Sequence, residues 1–394
     1  MILKEFETKT EKVFLIRDLI EVRIPKAHYI KLARKYPKEY IISFGEPRRV
    51  LHHVTKRELV YITRESGIPL LGHAAFGLID RGTNLIQVRP ITGCNLSCIF
   101  CSVDEGRKSK TRITDYIVEP SYLVEEFRKI AEFKGEGVEA HIDGQGEPLL
   151  YPYMEELLEG LRKTKEVKVI SMQTNGVLLN EEKINMLEKY VDRINLSMNT
   201  LDEEKAKILY GVKYPVKRVM EMAKMIAESK MDLLIAPVWL PGYNDEDIRK
   251  IIEFALEIGA GKRWPPLGIQ KYIPHKYGRK PKVKVMSFKQ FYEELRKLEE
   301  EYGVKLILKP EDFGIEKRPR IPHPIKKGDT FKAKIVAQGR IRGEKIVVVK
   351  NRVVTVLTDK KVGDYVKFQI VRDVDGIFLG VDVQSSFYRS FYRE

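Results

Sequence analysis

The sequence predicts an α/β protein: a parallel strand–helix barrel, complete or partial, followed by a small all-β barrel. Three observations predict it. Between residues 85 and 315 short apolar runs alternate with amphipathic helical segments, the pattern of βαβ units that build a parallel sheet. At 316–327 a stretch rich in Pro, Lys and Arg stops regular structure, since proline continues neither helix nor central strand. Beyond it, five short β-type runs are punctuated by Gly and Asp turns.

The elements follow in order. Residues 1–84 mix short strand-like and helix-like runs without a motif and read as an N-terminal extension. The core, 85–315, opens with a strand over 85–89 that leads into a cysteine-bearing loop. Helical spacing over 125–134, 154–163, 181–190, 215–228, 245–258 and 288–302 alternates with strands over 138–142, 167–172, 193–198, 232–238 and 267–272. Six or so such units make a barrel or partial barrel. After the linker, strand-like runs at 330–336, 345–349, 352–357, 365–371 and 377–383 fill a unit at 328–385, the size of an OB-like barrel. Residues 386–394 remain as a tail.

Composition narrows the function classes. At 394 residues the chain is too long for one ordinary core, so two or three domains are expected. No run approaches the roughly 20 uninterrupted apolar residues of a membrane helix, and the opening MILKEFETKTEK lacks the apolar stretch of a signal peptide. A cytoplasmic protein with no membrane partner is the expectation. Lys and Glu are abundant while Asn and Gln are scarce, which fits a thermophile. The net charge of +15 is unevenly placed: residues 317–394 hold 18 Lys and Arg against 8 Asp and Glu. Such asymmetry points to a C-terminal module facing a polyanion, although a solvated basic surface would look the same.

The chain has three cysteines, Cys94, Cys98 and Cys101, all within eight residues. A secreted disulfide framework would need an even number spread along the chain. The spacing C-x3-C-x2-C puts three thiolates in one tight loop. They can hold three irons of a cubane 4Fe–4S cluster, because soft sulfur ligands suit iron–sulfur centres. With no fourth cysteine, the last iron stays open to a substrate. The alternative is a structural zinc site, disfavoured because such sites usually pair two CxxC units.

On these residues the chain resembles the radical S-adenosylmethionine (SAM) superfamily, over about 85–272. The cysteine loop, with Phe100 just before the third cysteine, is similar to that family's signature. Gly144-Gln145-Gly146-Glu147-Pro148 resembles its GGEP segment, departing at the second residue. The resemblance implies that this segment binds the methionyl amino group, with Gly144 and Gly146 allowing close backbone approach and Glu147 offering an anion to the ammonium. Gln173-Thr174-Asn175-Gly176 matches the family's TNG turn, which makes Asn175 a cofactor contact. Ser197 and Asn199 fall where the family contacts ribose and carboxylate, and the segment 239–245, with Asn244, where a loop lies beside adenine and ribose. Each of these last three would serve equally as a polar turn capping a strand. They share the C-terminal ends of predicted parallel strands, where α/β barrels carry their sites.

The cofactors implied are one 4Fe–4S cluster and S-adenosyl-L-methionine, with an external electron donor as partner. The implied chemistry is one-electron cleavage of the sulfonium to a 5′-deoxyadenosyl radical that takes hydrogen from an unreactive C–H bond. Three cysteines also set a limit. Within the superfamily, sulfur insertion generally needs an additional cluster, methylthiotransferases bind theirs through three further cysteines, and RNA adenine methylation uses two reactive ones. This chain has none to spare.

Residues 330–383 resemble a TRAM domain, the small β-barrel attached to several tRNA-modifying enzymes. The resemblance rests on Gly328-Asp329-Thr330, Gly339-Arg340-Ile341-Arg342-Gly343 and Val362-Gly363-Asp364-Tyr365-Val366, and the combination resembles an archaeal type of the superfamily. The expectation is a radical SAM enzyme that modifies a nucleoside in tRNA, with rRNA as the lesser candidate. Arg340, Arg342 and Lys345 in the barrel, and Lys271 and Arg279 in a basic loop after the last core strand, are the candidate phosphate contacts. Tyr365, Phe368 and Phe378 could stack on bases, but Phe368 is expected in the barrel core. The alternative is action on a small molecule or protein side chain, with the barrel as an interaction module.

Overall fold

The computed structural model describes residues 3–386, so positions 387–394 of the expected tail lie outside the described residues. The chain opens with strands β1 (Leu3–Glu7), β2 (Glu11–Ile16) and β3 (Ile20–Pro25), helices α1 (Lys26–Ala33) and α2 (Lys38–Phe44), and strands β4 (Arg49–His52) and β5 (Glu58–Ile62). Then come β6 (Gly77–Asp80), β7 (Leu85–Arg89) and β8 (Thr114–Val118). The first five strands form an antiparallel sheet, which β8 completes by pairing parallel to β5. Its inner face buries Phe14, Val22 and Ile24. Two strands cross the expected boundary at residue 84: β6 pairs with β7 in the central sheet, while β8 belongs to the N-terminal one.

From α3 (Pro120–Lys134) onward, strands and helices alternate. They are β9 (Val138–Ile142), α4 (Met154–Arg162), β10 (Val167–Thr174), α5 (Glu181–Glu188), β11 (Arg193–Leu196), α6 (Glu203–Tyr210) and α7 (Val216–Glu228). After these follow β12 (Asp232–Ile235), β13 (Val238–Trp239), α8 (Asp245–Glu257), β14 (Gln270–Lys271) and α9 (Phe288–Tyr302). Helix α3 starts five residues before the span its spacing predicts, because Pro120 suits the first turn; Leu123, Phe127, Ile130 and Ala131 face inward at helical spacing and Gly135 ends it. The central sheet runs β12-β11-β10-β9-β7-β6, parallel except for β6 at the edge. A bridge from Ile235 to Leu267 and the parallel pair β13–β14 continue it into the expected partial barrel.

The C-terminal strands β15 (Thr330–Gln338), β16 (Glu344–Val349), β17 (Arg352–Leu357), β18 (Tyr365–Arg372) and β19 (Phe378–Asp382) close a barrel in the order β15-β16-β17-β19-β18. Phe368 lies in its core as expected, and so does Phe378, so neither reaches a base. Tyr365 is 60% exposed. The segment 316–327 has no regular element, yet it is tied down. The Arg318 amide donates to the Gly82 carbonyl, and buried Lys134 bridges Asp80 (2.7 Å) and the Pro319 carbonyl (3.1 Å). The barrel itself docks on the core: the Val353 amide donates to the Leu71 carbonyl (2.8 Å) and the Tyr116 hydroxyl to the Gln338 carbonyl (2.7 Å). Among the described residues no helix is long and apolar enough to cross a membrane.

Candidate active site at the cysteine loop

The loop after β7 carries all three cysteines to the C-terminal ends of the parallel strands. Its backbone is held by α6, whose Tyr210 and Leu209 carbonyls accept from the Ser97 and Ile99 amides at 2.9 Å. Gly106 closes the loop: with φ +92 it passes so near the Leu96 carbonyl that a Cβ there would sit 1.7 Å from the oxygen. The three thiols are free and half-buried. Two of the sulfurs accept from backbone amides, Cys94 from Leu96 (3.4 Å) and Cys101 from Glu105 (3.2 Å). Burial pushes all three thiols above their ordinary range, while the Arg279 charge pulls Cys98 and Cys101 back.

All three cysteines border one cavity of about 430 Å³, within the range of small-molecule sites. Phe100, Gly144, Gly146, Glu147, Asn175 and Ser197 line it too, and so does Lys271, a candidate phosphate contact that lies at the end of β14 rather than in the loop after it. The strand ends explain this convergence, since β9 delivers 143–147, β10 delivers Thr174 and Asn175, and β11 delivers Ser197.

Two of these residues act differently from expectation. The Glu147 carboxylate accepts from the Leu149 amide (3.0 Å), the Thr174 hydroxyl (2.7 Å) and the Asn175 amide (2.8 Å), so it clamps two strand ends together. Burial raises its pKa, against these three donors. Gly146, at φ +153, is required by another stretch of backbone rather than by a ligand: a Cβ would lie 2.0 Å from the Gly93 carbonyl.

Four expected contacts are corrected. Asn199 and Asn244 are fully buried and do not line the cavity. Asn199 accepts from the Val238 amide (2.7 Å). Asn244 accepts from the Leu240 amide (2.7 Å) and donates to the Asn199 and Val238 carbonyls (3.0 Å each), so both amides fix the loop after β12. Arg279 grips the cysteine loop instead of facing outward. It donates to the Cys98 carbonyl (2.9 Å) and the Glu105 carbonyl (2.6 Å) and pairs with Asp104 (2.9 Å). Arg340 is 2% exposed and pairs with Glu105 and Asp115, so no phosphate reaches it. Arg342 is exposed and Lys345 half-buried.

Sequence reasoning missed Asp143, Gln173, Tyr210 and Gln270, which also line the cavity. Asp143 is oriented by Arg89 (2.9 and 3.0 Å) and Gln87 (2.6 Å). Asp143 directly precedes the first turn already singled out and Gln173 opens the second, and two-residue alternation along their strands would have marked both as site residues. Tyr210 comes from a helix end with no local signal.

A model described as the Radical SAM superfamily matches residues 88–255. A protein of Methanocaldococcus jannaschii described as uncharacterized is 44% identical over 365 residues, covering 86% of this chain and 84% of that one. A GTP 3′,8-cyclase of Chlorobaculum tepidum is 29% identical over 196 residues, covering 50% of this chain and 56% of the cyclase. Among solved structures, Streptococcus suis SuiB bound to S-adenosylmethionine aligns with a TM-score of 0.44 at 22% identity, covering 56% of this chain and 48% of SuiB. The chain belongs to the radical SAM superfamily, whose enzymes work with a 4Fe–4S cluster and S-adenosylmethionine.

Proposed function

We propose that this enzyme carries its cluster on Cys94, Cys98 and Cys101, binds S-adenosylmethionine in the adjoining cavity, and modifies a nucleoside within tRNA, with rRNA as the lesser candidate. The donor set fits. A cubane needs sulfurs spread around one space, one thiolate to an iron, and three free thiols border this cavity. Among the described residues no three His, Cys, Asp or Glu are gathered to hold a single ion. Bound at this cavity, the two cofactors supply a one-electron reductive cleavage and a radical able to abstract hydrogen, given an electron from an external donor. The chain's own part is to orient and exclude. The Leu96 and Glu105 amides fix two sulfurs, Arg89 holds Asp143 at the wall, and Phe100 and Tyr272 keep water out.

One observation carries the RNA substrate. On the outer face of the small barrel Lys332 stands opposite Lys367, and Lys334 opposite Tyr365. The Lys332 ammonium lies 5.9 Å from the exposed Tyr365 ring. Like charges directly opposite destabilise a strand pair, and a phosphate backbone laid between them offsets that repulsion. An exposed ring among lysines is also the stacking platform that nucleic acid uses. A second reading, a free purine nucleotide, is favoured by the similarity to GTP 3′,8-cyclases.

Nucleoside mass spectrometry of tRNA and rRNA from a deletion strain, beside its parent, tests the proposal. One nucleoside should be missing or replaced by its precursor. If neither RNA changes, the RNA reading fails. Turnover of GTP with release of 5′-deoxyadenosine by the reconstituted enzyme would put the second reading in its place.

A further inference from the structure

We infer that Arg340, carried by the small barrel, is a positioning residue for the third cysteine, so that the barrel's first turn is part of the cluster site. The inference rests on the cluster being held by Cys94, Cys98 and Cys101.

Arg340 lies in the turn between β15 and β16 and enters the junction of the N-terminal sheet and the cysteine loop. Its Nη1 donates to Asp115 Oδ1 (2.7 Å), Thr92 Oγ1 (3.1 Å) and the Thr114 carbonyl, while Nη2 pairs with Glu105. Glu105 is 2% exposed and is approached by guanidinium groups from three separate parts of the chain. Arg57, before β5, lies 3.1 Å from its Oε2, and Arg112, before β8, lies 3.9 Å from its Oε1. Arg340 of the barrel is the third. Asp115 is fully buried, accepts from the Thr55 hydroxyl (2.5 Å) and faces Arg57 at 3.5 Å.

The network therefore sets Arg57, Arg112 and Arg340 against Glu105, Asp115 and the largely buried Glu344 of β16. It ends on the cluster ligands. The Glu105 amide donates to Cys101 Sγ at 3.2 Å, and the Glu105 carbonyl accepts from Arg279, which also holds the Cys98 carbonyl. Where Glu105 sits decides the geometry of that N–H···S bond. Hydrogen bonds to ligand sulfur and nearby positive charge both stabilise the more negative, reduced cluster and raise its potential. Arg340 contributes to both, so its loss should act in one direction: a lower midpoint.

The test uses the full-length chain, reconstituted anaerobically, as parent, Arg340→Met, Arg340→Lys and Arg372→Met. Arg372 is an exposed arginine elsewhere on the barrel. Iron content, the electron paramagnetic resonance spectrum of the reduced form, the midpoint potential and thermal melting are recorded. Arg372→Met should match the parent. Arg340→Met should be reduced at least tenfold less at a given potential, a midpoint lower by about 59 mV for one electron, with a changed spectrum. Arg340→Lys keeps the charge without the fork and should fall between. A folded Arg340→Met with the parent's midpoint and spectrum overturns the inference. If that variant does not fold, Arg340→Lys decides in the same way, and a parent-like midpoint overturns it. A parent chain that takes up no cluster would instead sink the ligand assignment.

Discussion

Glu147 and Arg279 are charged residues next to a reaction site whose charges are already engaged within the chain. A carboxylate accepting three short in-chain hydrogen bonds fixes the ends of β9 and β10, and its removal would loosen both walls of the cavity. Arg279 makes the same point for the cation, since its donors end on carbonyls of the cysteine loop rather than on solvent. Arg279→Ala should therefore leave RNA affinity within about twofold while lowering iron bound per chain on reconstitution, because a buried charged hydrogen bond contributes about 1.5–3 kcal/mol to the loop it holds. Filter binding alongside an iron assay checks this. A large loss of RNA affinity with full iron would return Arg279 to the phosphate-binding role. Cys98→Ala tests the ligands themselves: 5′-deoxyadenosine release should drop to background in a reconstituted turnover assay.

Elements were readable where one short-range rule decided them. Helix α9 occupies the span 288–302 that its helical spacing predicts, and local chemistry bounds it: Ser287 and Gln290 form a capping box and Gly303 ends it at φ +63. The cysteine loop stands out for the same reason, its three thiols falling within eight residues. The N-terminal sheet was not legible. Its β8 arrives from 52 residues beyond β5, and nothing in either run announces the other. Asn199 and Asn244 were misread because a polar residue at a strand end looks alike whether it meets ligand or backbone. Asn244→Ala would strand the Asn199 and Val238 carbonyls and the Leu240 amide, costing roughly 2–3 kcal/mol. The melting temperature should fall by several degrees, with S-adenosylmethionine affinity in the surviving folded fraction little changed.

Buried histidines give the same elements a pH dependence. His52 ends β4 fully buried, and burial pushes its pKa down to about 4. His73, also buried, is pushed down to about 3. The folded state keeps both imidazoles neutral, whereas the unfolded chain takes up protons near pH 6.5. Stability should therefore decline as pH falls from 6.5 toward 4, His52 alone accounting for roughly 3 kcal/mol by pH 4. Melting curves across that range should show it, and His52→Gln should flatten the slope. A slope unchanged by the substitution would mean that His52 is already protonated in the fold.

At the scale of the whole molecule, the barrel has two unlike faces, one docked on the core and one carrying exposed lysines. Its inner turn reaches the cysteine loop through Arg340, and its linker is pinned to Gly82, Asp80 and Lys134. Deleting everything after Lys327 would strip Glu105 and Asp115 of a buried cation and uncover the apolar docking face, so loss of RNA binding in such a truncation would not isolate an RNA site. The outer face can be tested without that damage. Lys332→Glu, Lys334→Glu and Lys367→Glu together alter exposed side chains of β15 and β18 and leave the docked turn untouched. If these lysines meet phosphates, each should contribute about 1 to the slope of log affinity against log salt. The triple variant should therefore lose about 3 from that slope, together with most of its affinity at low salt. Iron content and midpoint potential should stay at parent values. An unchanged salt slope would show that RNA, if bound at all, approaches from another face, and a fall in iron content would show that the two faces are not separable.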